Sequence, residues 1–502
     1  MPAFPGVSLP RVGIAVVAVA TAGLRIAWLS TPPGRDEAGY LMIAAQWHPG
    51  RSVYGDYFVD RPPLLIGFFA LGHLLGGLVA LRLLAALVAG ATVVLAYALG
   101  LALTENARTA VWPAVAAAAF VSTPQFDVRT TNGELLAVPV VMAGLLAVVH
   151  AWRGRGKARA RSWLLAGVSA TAAGLVKQDF VDVFVFAGAV GAASWLPWSA
   201  AGFRVRLRDL AWFAGGSVAC VSVALLVADL LGTTPRSLWD ALVVFRFRAA
   251  HLLAQTHDLA AGGRLAGYPR ILLLTGVLTL VLAFVVRLIG RRPGPLVVGS
   301  VLTIAWEVFA VLAGQEAWPH YLVGLTPGLT LAAAVGAVGT TRLRSWPTRL
   351  SVGYAAAATV VAVALATNVQ VSREQLVGRW LHAAASDRDG AVVLLGQPSI
   401  LLTAGLESPY QHLFQLPMRV QDPHFVGLRA LLASARAPAW VLLDTEHRHA
   451  QGATSGVLRA RYAQVSEVCG YRVYLRRHLQ RHLPATPARC RSAGGATLPT
   501  AG

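Results

Sequence analysis

Long apolar stretches separated by short polar loops fill the first 370 positions of the chain. The stretches run about 16 to 23 residues, the length a helix needs to cross a hydrocarbon core about 30 Å thick. They fall roughly at 10–30, 79–102, 110–124, 135–151, 162–176, 180–198, 210–231, 270–289, 295–313, 321–340 and 350–369. Lipid offers no hydrogen bonds, so a spanning segment must be a helix or part of a closed barrel. Alternating ten-residue segments are absent, and the spans read as about eleven transmembrane helices. No internal repeat of fixed period is evident.

From residue 371 the pattern changes. Short apolar runs at 391–396 (AVVLLG), 439–444 (AWVLLD) and 473–477 (VYLRR) read as strands. The stretch 423–436 between them reads as a helix. This alternation predicts a small α/β domain over 371–483 with a partly parallel sheet. The Ala-, Thr-, Ser-, Gly- and Pro-rich tail from Pro484, residues 484–502, reads as disordered. The expected organisation is a membrane domain over 1–370, then this domain, then the tail.

Loop charge sets the expected topology. The loops at 152–161, 199–209, 287–292 and 341–349 carry fourteen basic residues against one acidic residue, Asp209. Basic loops stay in the cytoplasm. The alternate loops hold Asp36, Glu37, Asp56, Asp60, Asp127, Glu134, Asp179, Asp182, Asp240, Asp258 and Glu316 and should face outward. Eleven spans then place the N-terminus inside and the α/β domain outside. Counting the short stretch from Pro62 to Gly77 as a span would break this parity, so it reads as an interfacial or re-entrant helix. Residues 1–30 resemble a signal peptide, but the polar segment that follows is not typical of a cleavage site.

Only 13% of residues are charged and 56% are hydrophobic, against about 25% charged in soluble domains. The formal net charge of +20 does not indicate nucleic acid, because the basic residues sit in the loops where the positive-inside rule puts them. The Ala- and Arg-rich composition suits a bacterium of high GC content. Cys220 lies in an apolar span. Cys469 and Cys490 lie in the C-terminal part and could form a disulfide if that part is extracytoplasmic.

The candidate chemistry sits in the outward loops. The first, from Arg35 to Leu64, reads RDEAGYLMIAAQWHPGRSVYGDYFVDRPPL. It places Asp36 and Glu37 directly after the first span. Tyr40, Ile43, Ala44 and Trp47 follow at helical spacing, as in an amphipathic helix along the interface. Tyr54, Asp56, Tyr57, Asp60 and Arg61 come next. The bland alternative is that Asp36 and Glu37 only mark the water interface. The second loop, QFDVRTTNGELL, offers Asp127, Arg129, Asn132 and Glu134. Glu134 could simply favour a helix N-terminus. Lys177-Gln178-Asp179 and Trp318-Pro319-His320-Tyr321 sit at two further outer turns. The loop 232–269 adds Arg236, Arg246, Arg248, His251, His257, Asp258 and Arg264. Glu307 lies in mid-span, where it is costly unless protonated or paired.

An outward-facing enzyme has little access to nucleotide-sugars, and the chain shows no Gly-rich phosphate loop at a strand–helix junction. An activated sugar already carried across the bilayer on a lipid is the expected donor. Its phosphate leaving group needs positive charge, from Arg61, Lys177 or Arg129. The acceptor hydroxyl needs a carboxylate base, for which Asp36 and Glu37 are the candidates. Tyr40, Tyr54, Tyr57, Asp60, His320 and Tyr321 are the candidates for holding the substrates.

Three features in this order resemble the GT-C superfamily: the Asp36-Glu37 pair after the first span, the RPPL segment at Arg61 to Leu64, and the stretch from His320 to Pro327. The nearest branch is the bacterial relatives of protein O-mannosyltransferases and of the aminoarabinose transferase for lipid A. The resemblance covers about residues 10–370. It implies a polytopic helical membrane enzyme that inverts the anomeric centre of a polyprenyl-phosphate sugar by direct displacement. Asp36 would then be the general base, and Arg61 would engage the lipid phosphate. Glu134 would be the acidic residue of the second loop, with Asp127 beside it, though here it follows Asn-Gly rather than closing an Asp motif. Some members use a divalent metal such as Mg or Mn and others do not. The acceptor would be an envelope glycan, a glycolipid or a protein at a bacterial plasma membrane. A transporter or lipid flippase, and a non-catalytic scaffold, remain as alternatives. A transporter would bury its key charges near the midplane, and a scaffold leaves the dense polar first loop unexplained.

Overall fold

The computed structural model describes residues 9–197, 204–255, 259–289, 293–314, 316–338, 342–366, 371–445, 448–488 and 490. His257, Asp258, Arg291 and Arg292 lie outside the described residues. Helices α1 (Leu9–Ala27), α2 (Arg35–Ala45), α3 (Pro63–Leu74), α4 (Leu78–Thr104), α5 (Val111–Phe120) and α6 (Gly133–Arg153) come first. Next are α7 (Gly156–Val176), α8 (Asp182–Ala193), α9 (Leu207–Leu230), α10 (Pro235–Trp239) and α11 (Phe245–Gln255), the last two joined by a wide turn at Asp240–Val244. Then follow α12 (Leu259–Leu274), α13 (Val277–Leu288), α14 (Pro295–Ala313), a tight helical segment Pro319–Leu325, α15 (Thr326–Ala337) and α16 (Arg342–Leu365).

The protein is a multi-pass helical membrane protein. Among the described residues seven helices are long and apolar enough to cross a bilayer, or eight if α12 and α13, bent by 68°, make one broken span. These account for eight of the eleven expected spans. The other three correspond to α5, α7 and α8. Of these, α5 and α8 are short, and α7 opens with a basic turn. Large apolar side chains on α9, including Leu207, Val218, Val223, Leu226 and Leu230, are exposed, as a lipid-facing helix requires. Gly167 on α7 and Gly216 on α9 let the two helices meet so closely that a Cβ at either would strike the other's backbone. The stretch after Pro62 forms the 12-residue α3, too short to span, and turns back at Gly76–Gly77 into α4.

The described charged loops make two sets of contacts. In one, Arg153 pairs with Glu105 at 2.5 Å, and Arg159 pairs with Asp209 at 2.7 Å. In the other, the acidic loops converge on one another and on the α/β domain.

That domain comprises α17 (Arg373–Ala384), α18 (Pro398–Ala404), α19 (Gln415–Gln421), α20 (Val426–Ala433) and α21 (Arg448–Arg461), with strands β1 (Ala391–Val393), β2 (Trp440–Asp444), β3 (Tyr462–Val468) and β4 (Tyr471–Arg476). The strand order is β1-β2-β4-β3, with β1 and β2 parallel and the other pairs antiparallel. Cys469, in the β3–β4 turn, is bonded to Cys490. The Trp380 indole N–H donates to the Pro484 carbonyl at 2.9 Å. These two ties hold the start of the segment expected to be a disordered tail. Residues 491–502 lie outside the described residues.

Candidate active site

Helix α2 begins at Gly34 and places Asp36 and Glu37 in its first turn, where the exposed N–H groups favour negative charge. The two carboxylates then part. Glu37 is 1% exposed. Arg82 of α4 donates to it through Nε at 3.1 Å and Nη2 at 2.6 Å. The same guanidinium reaches the carbonyls of Trp28, Leu29, Thr31 and Pro32. Glu37 also accepts the Thr131 N–H at 3.0 Å. Glu37, expected among the catalytic residues, therefore ties the first loop to the second and does not line the cleft.

Asp36 does line a cleft of about 230 Å³, together with Tyr40, Arg61, Leu65, Gly133, Glu134, Lys177, His320 and Tyr321. The Tyr40 hydroxyl donates to Asp36 Oδ2 at 3.4 Å and accepts from Arg61 Nε at 2.8 Å. Burial pushes the Tyr40 phenol well above its ordinary pKa, so it stays protonated and able to donate. The Tyr54 hydroxyl donates to the Arg61 carbonyl at 2.6 Å. Asp60 is 5% exposed and sits between Arg61 at 3.3 Å and Arg246 of α11 at 3.0 Å. Burial would raise its pKa, but the two guanidinium groups outweigh it and hold the carboxyl below the usual range.

The second loop enters through Asn132, which caps α6 by accepting the Leu135 N–H at 3.0 Å. Glu134 follows in the first turn and binds Lys177 Nζ at 2.6 Å. Asp179 holds the same ammonium at 3.1 Å, and the Tyr321 ring lies 4.4 Å from it. Burial opposes the Lys177 charge, but Asp179 and Glu134 keep its pKa above the ordinary value. His320 Nε2 is 3.9 Å from Glu134, and its ring stacks over Trp318. Arg264 lies 4.0 Å over Trp318.

The remaining expected site residues lie off the cleft. Tyr54 and Tyr57 are fully buried, and the Tyr57 hydroxyl accepts the Ser408 N–H at 3.0 Å. Both brace the first loop. Asp127 and Arg129 do not line the cleft. Burial raises the Asp127 pKa, with His320 and Arg129 opposing. Among the described residues no three of His, Cys, Asp and Glu are grouped so as to hold a metal ion. Helix α2 is not a half-exposed interfacial helix, since Glu37 through Ala44 are all buried beneath α18 and against α3.

A second hollow of about 290 Å³ adjoins the cleft, sharing Glu134 and Tyr321 with it. Phe180, Trp306, Ala310, Val311 and Gly324 line it together with Asp179, Asp182 and Glu307. Glu307 is paired within the bundle. It accepts the Gly328 N–H at 2.7 Å and hydrogen bonds with Asp182.

Sequence reasoning missed Arg82 and singled out no role for Arg246. A charge inside an apolar run was the available signal for Arg82. Arg246 was one of several basic residues in a long loop, and nothing in the sequence marks its partner.

No protein-family model and no curated protein matches the chain. Solved structures do. ArnT from Cupriavidus metallidurans, bound to undecaprenyl phosphate, aligns with a TM-score of 0.59 at 14% identity, covering 92% of this chain and 97% of its own. The Archaeoglobus fulgidus oligosaccharyltransferase aligns with a TM-score of 0.55 at 14% identity, over 89% and 71%. The mycobacterial arabinofuranosyltransferase AftD aligns with a TM-score of 0.52 at 16% identity, over 93% of this chain and 40% of AftD. The chain therefore has the membrane fold shared by these transferases, the GT-C fold expected from its sequence.

Proposed function

We propose that the protein is an inverting glycosyltransferase that moves a sugar from a polyprenyl-phosphate donor to a hydroxyl acceptor. The observation that carries this reading is the convergence of a carboxylate, Asp36, and a guanidinium, Arg61, on one phenol, Tyr40, in a cleft at the end of the helix bundle.

Each side chain has a role in the displacement. Asp36 takes the proton of the acceptor hydroxyl. The freed oxygen attacks the anomeric carbon from the face opposite the phosphate. The bond from that carbon to the phosphate oxygen breaks, and its electron pair stays on the phosphate. Arg61 and Lys177 neutralise the growing charge. The apolar hollow lined by Phe180 and Trp306 is suited to the first isoprenyl carbons. ArnT in complex with undecaprenyl phosphate supports a lipid carrier of this class.

The cleft faces away from the cytoplasm at a bacterial plasma membrane, and the N-terminus lies inside. The basic loops at the opposite end of the bundle and the Cys469–Cys490 bond in the α/β domain support this orientation. The acceptor is an envelope glycan, a glycolipid or a protein.

Purified protein in lipid is offered a panel of labelled polyprenyl-phosphate sugars with a crude envelope extract as acceptor. Label should pass from one donor to the acceptor with the anomeric configuration inverted. Release of free sugar only, or net movement of donor across the bilayer without transfer, would contradict the proposal.

A further inference from the structure

The α/β domain grips the first loop at four places. Phe58 N–H donates to the Gln411 carbonyl at 2.9 Å. Ser408 N–H donates to the Tyr57 hydroxyl. Arg35 Nε donates to Gln397 Oε1 at 3.3 Å. The fourth contact is Phe414, and it bears directly on the site.

The Phe414 ring lies against Gly39 in the middle of α2, one turn past Asp36. A methyl group at position 39 would overlap the ring. The ring also meets Tyr40 with centroids 5.5 Å apart, while Phe69 of α3 holds Tyr40 from another side at 5.3 Å, edge-on. Tyr40 is thus clamped between a membrane helix and the α/β domain, and its hydroxyl joins Asp36 to Arg61. Phe414 is anchored in turn. Its backbone rests on Gly396, whose positive φ of 72° and lack of Cβ let the chain pass directly beyond β1. The clamp therefore runs from the end of the sheet through Phe414 to Tyr40, and from Tyr40 to both reacting-site groups.

We propose that the α/β domain holds the catalytic carboxylate in place, with Phe414 as a positioning residue acting through Gly39 and Tyr40. This rests on the reading of Asp36 as general base. Positioning errors of about 1 Å can cost about a hundredfold in rate.

The test is a size-swap cycle on the full chain in lipid: wild type, Gly39→Ala, Phe414→Ala, Phe414→Leu and the double variant Gly39→Ala/Phe414→Ala. Gly39→Ala should lower kcat by about a hundredfold while leaving KM for the donor within about twofold. Phe414→Ala should lower kcat by about tenfold, and Phe414→Leu by less. In the double variant the new methyl enters the space the ring has left, so kcat should return to that of Phe414→Ala. A double variant no faster than Gly39→Ala, or effects confined to KM, would overturn the proposal. Thermal unfolding of the same set reads the clamp independently of activity. Midpoint shifts of the two single alanine variants should be strongly non-additive in the double variant, and additive shifts would overturn the clamp. Failure of wild type to transfer any sugar, with non-additive midpoints intact, would instead count against the glycosyltransferase reading.

Discussion

The Arg61 guanidinium donates from Nε to the Tyr40 hydroxyl at 2.8 Å, and that hydroxyl reaches Asp36 Oδ2 at 3.4 Å. One buried phenol thus sets the spacing between the group that would bind a phosphate and the group that would accept a proton. A hydroxyl both donates and accepts, which suits Tyr40 to bridging a cation and a carboxylate.

Tyr40→Phe removes both hydrogen bonds but keeps the ring between Phe69 and Phe414. It should fold normally and lose at least about tenfold in kcat, since a hydrogen bond to a charged group contributes about 1.5–3 kcal/mol. Steady-state transfer rates together with an unchanged unfolding midpoint would check this.

Glu37 and Arg82 form a buried pair, with side chains 0% and 4% exposed. Removing one partner leaves an uncompensated charge, so Arg82→Met should destabilise the protein by about 3–5 kcal/mol. Glu37→Leu/Arg82→Met should cost less than Arg82→Met alone. Thermal unfolding in detergent measures both. If Glu37 acted chemically, its loss would abolish turnover in molecules that remain folded.

His412, packed edge-on against Phe58 at the domain contact, has its pKa lowered by burial from 6.5 to about 4. Because the folded value is the lower one, the unfolded chain binds the proton first as pH falls. Stability from this group is complete above pH 6.5, declines below it, and its loss is complete near pH 4. The total is about 3 kcal/mol. His412→Gln should show a shallower fall of stability across that window than wild type. Parallel pH profiles for the two proteins would contradict this.

Cys469 and Cys490 are 21 residues apart in sequence. In the chain-entropy account, closing a loop of that size stabilises the fold by about 3 kcal/mol. The pair should be found oxidised in protein taken from cells without reductant, as shown by protection from a thiol-reactive polyethylene glycol. Ready labelling of both thiols would place the domain in a reducing compartment and reverse the proposed orientation.

Much of this was legible in the sequence because lipid imposes strong rules. Apolar length gave the long spans. Asp36, Arg61, Glu134, Lys177, His320 and Tyr321, drawn from four separate outer segments, do meet in one cleft. What the sequence hid was partnership. Asp36 and Glu37 are neighbours in the chain, yet helical geometry turns one to the cleft and the other to Arg82. Tyr54, Tyr57 and Asp60 look like the rest of the polar first loop, but the α/β domain and α11 bury them. Strand β3 escaped notice because its YAQVSEV sequence faces solvent on one side and has no continuous apolar run. Phe414 could not be singled out, since nothing near it in sequence indicates that it meets a helix some 370 residues away.

The most direct test of the central claim is the release of polyprenyl phosphate by purified protein in lipid, with the best donor found in the panel, comparing wild type with Asp36→Asn. The amide keeps the shape of the side chain and its contact with Tyr40 but cannot take a proton. Asp36→Asn should fold like wild type and lose at least about a hundredfold in rate. Equal rates in the two proteins would show that Asp36 is not the base and that the chemistry assigned to this cleft is wrong.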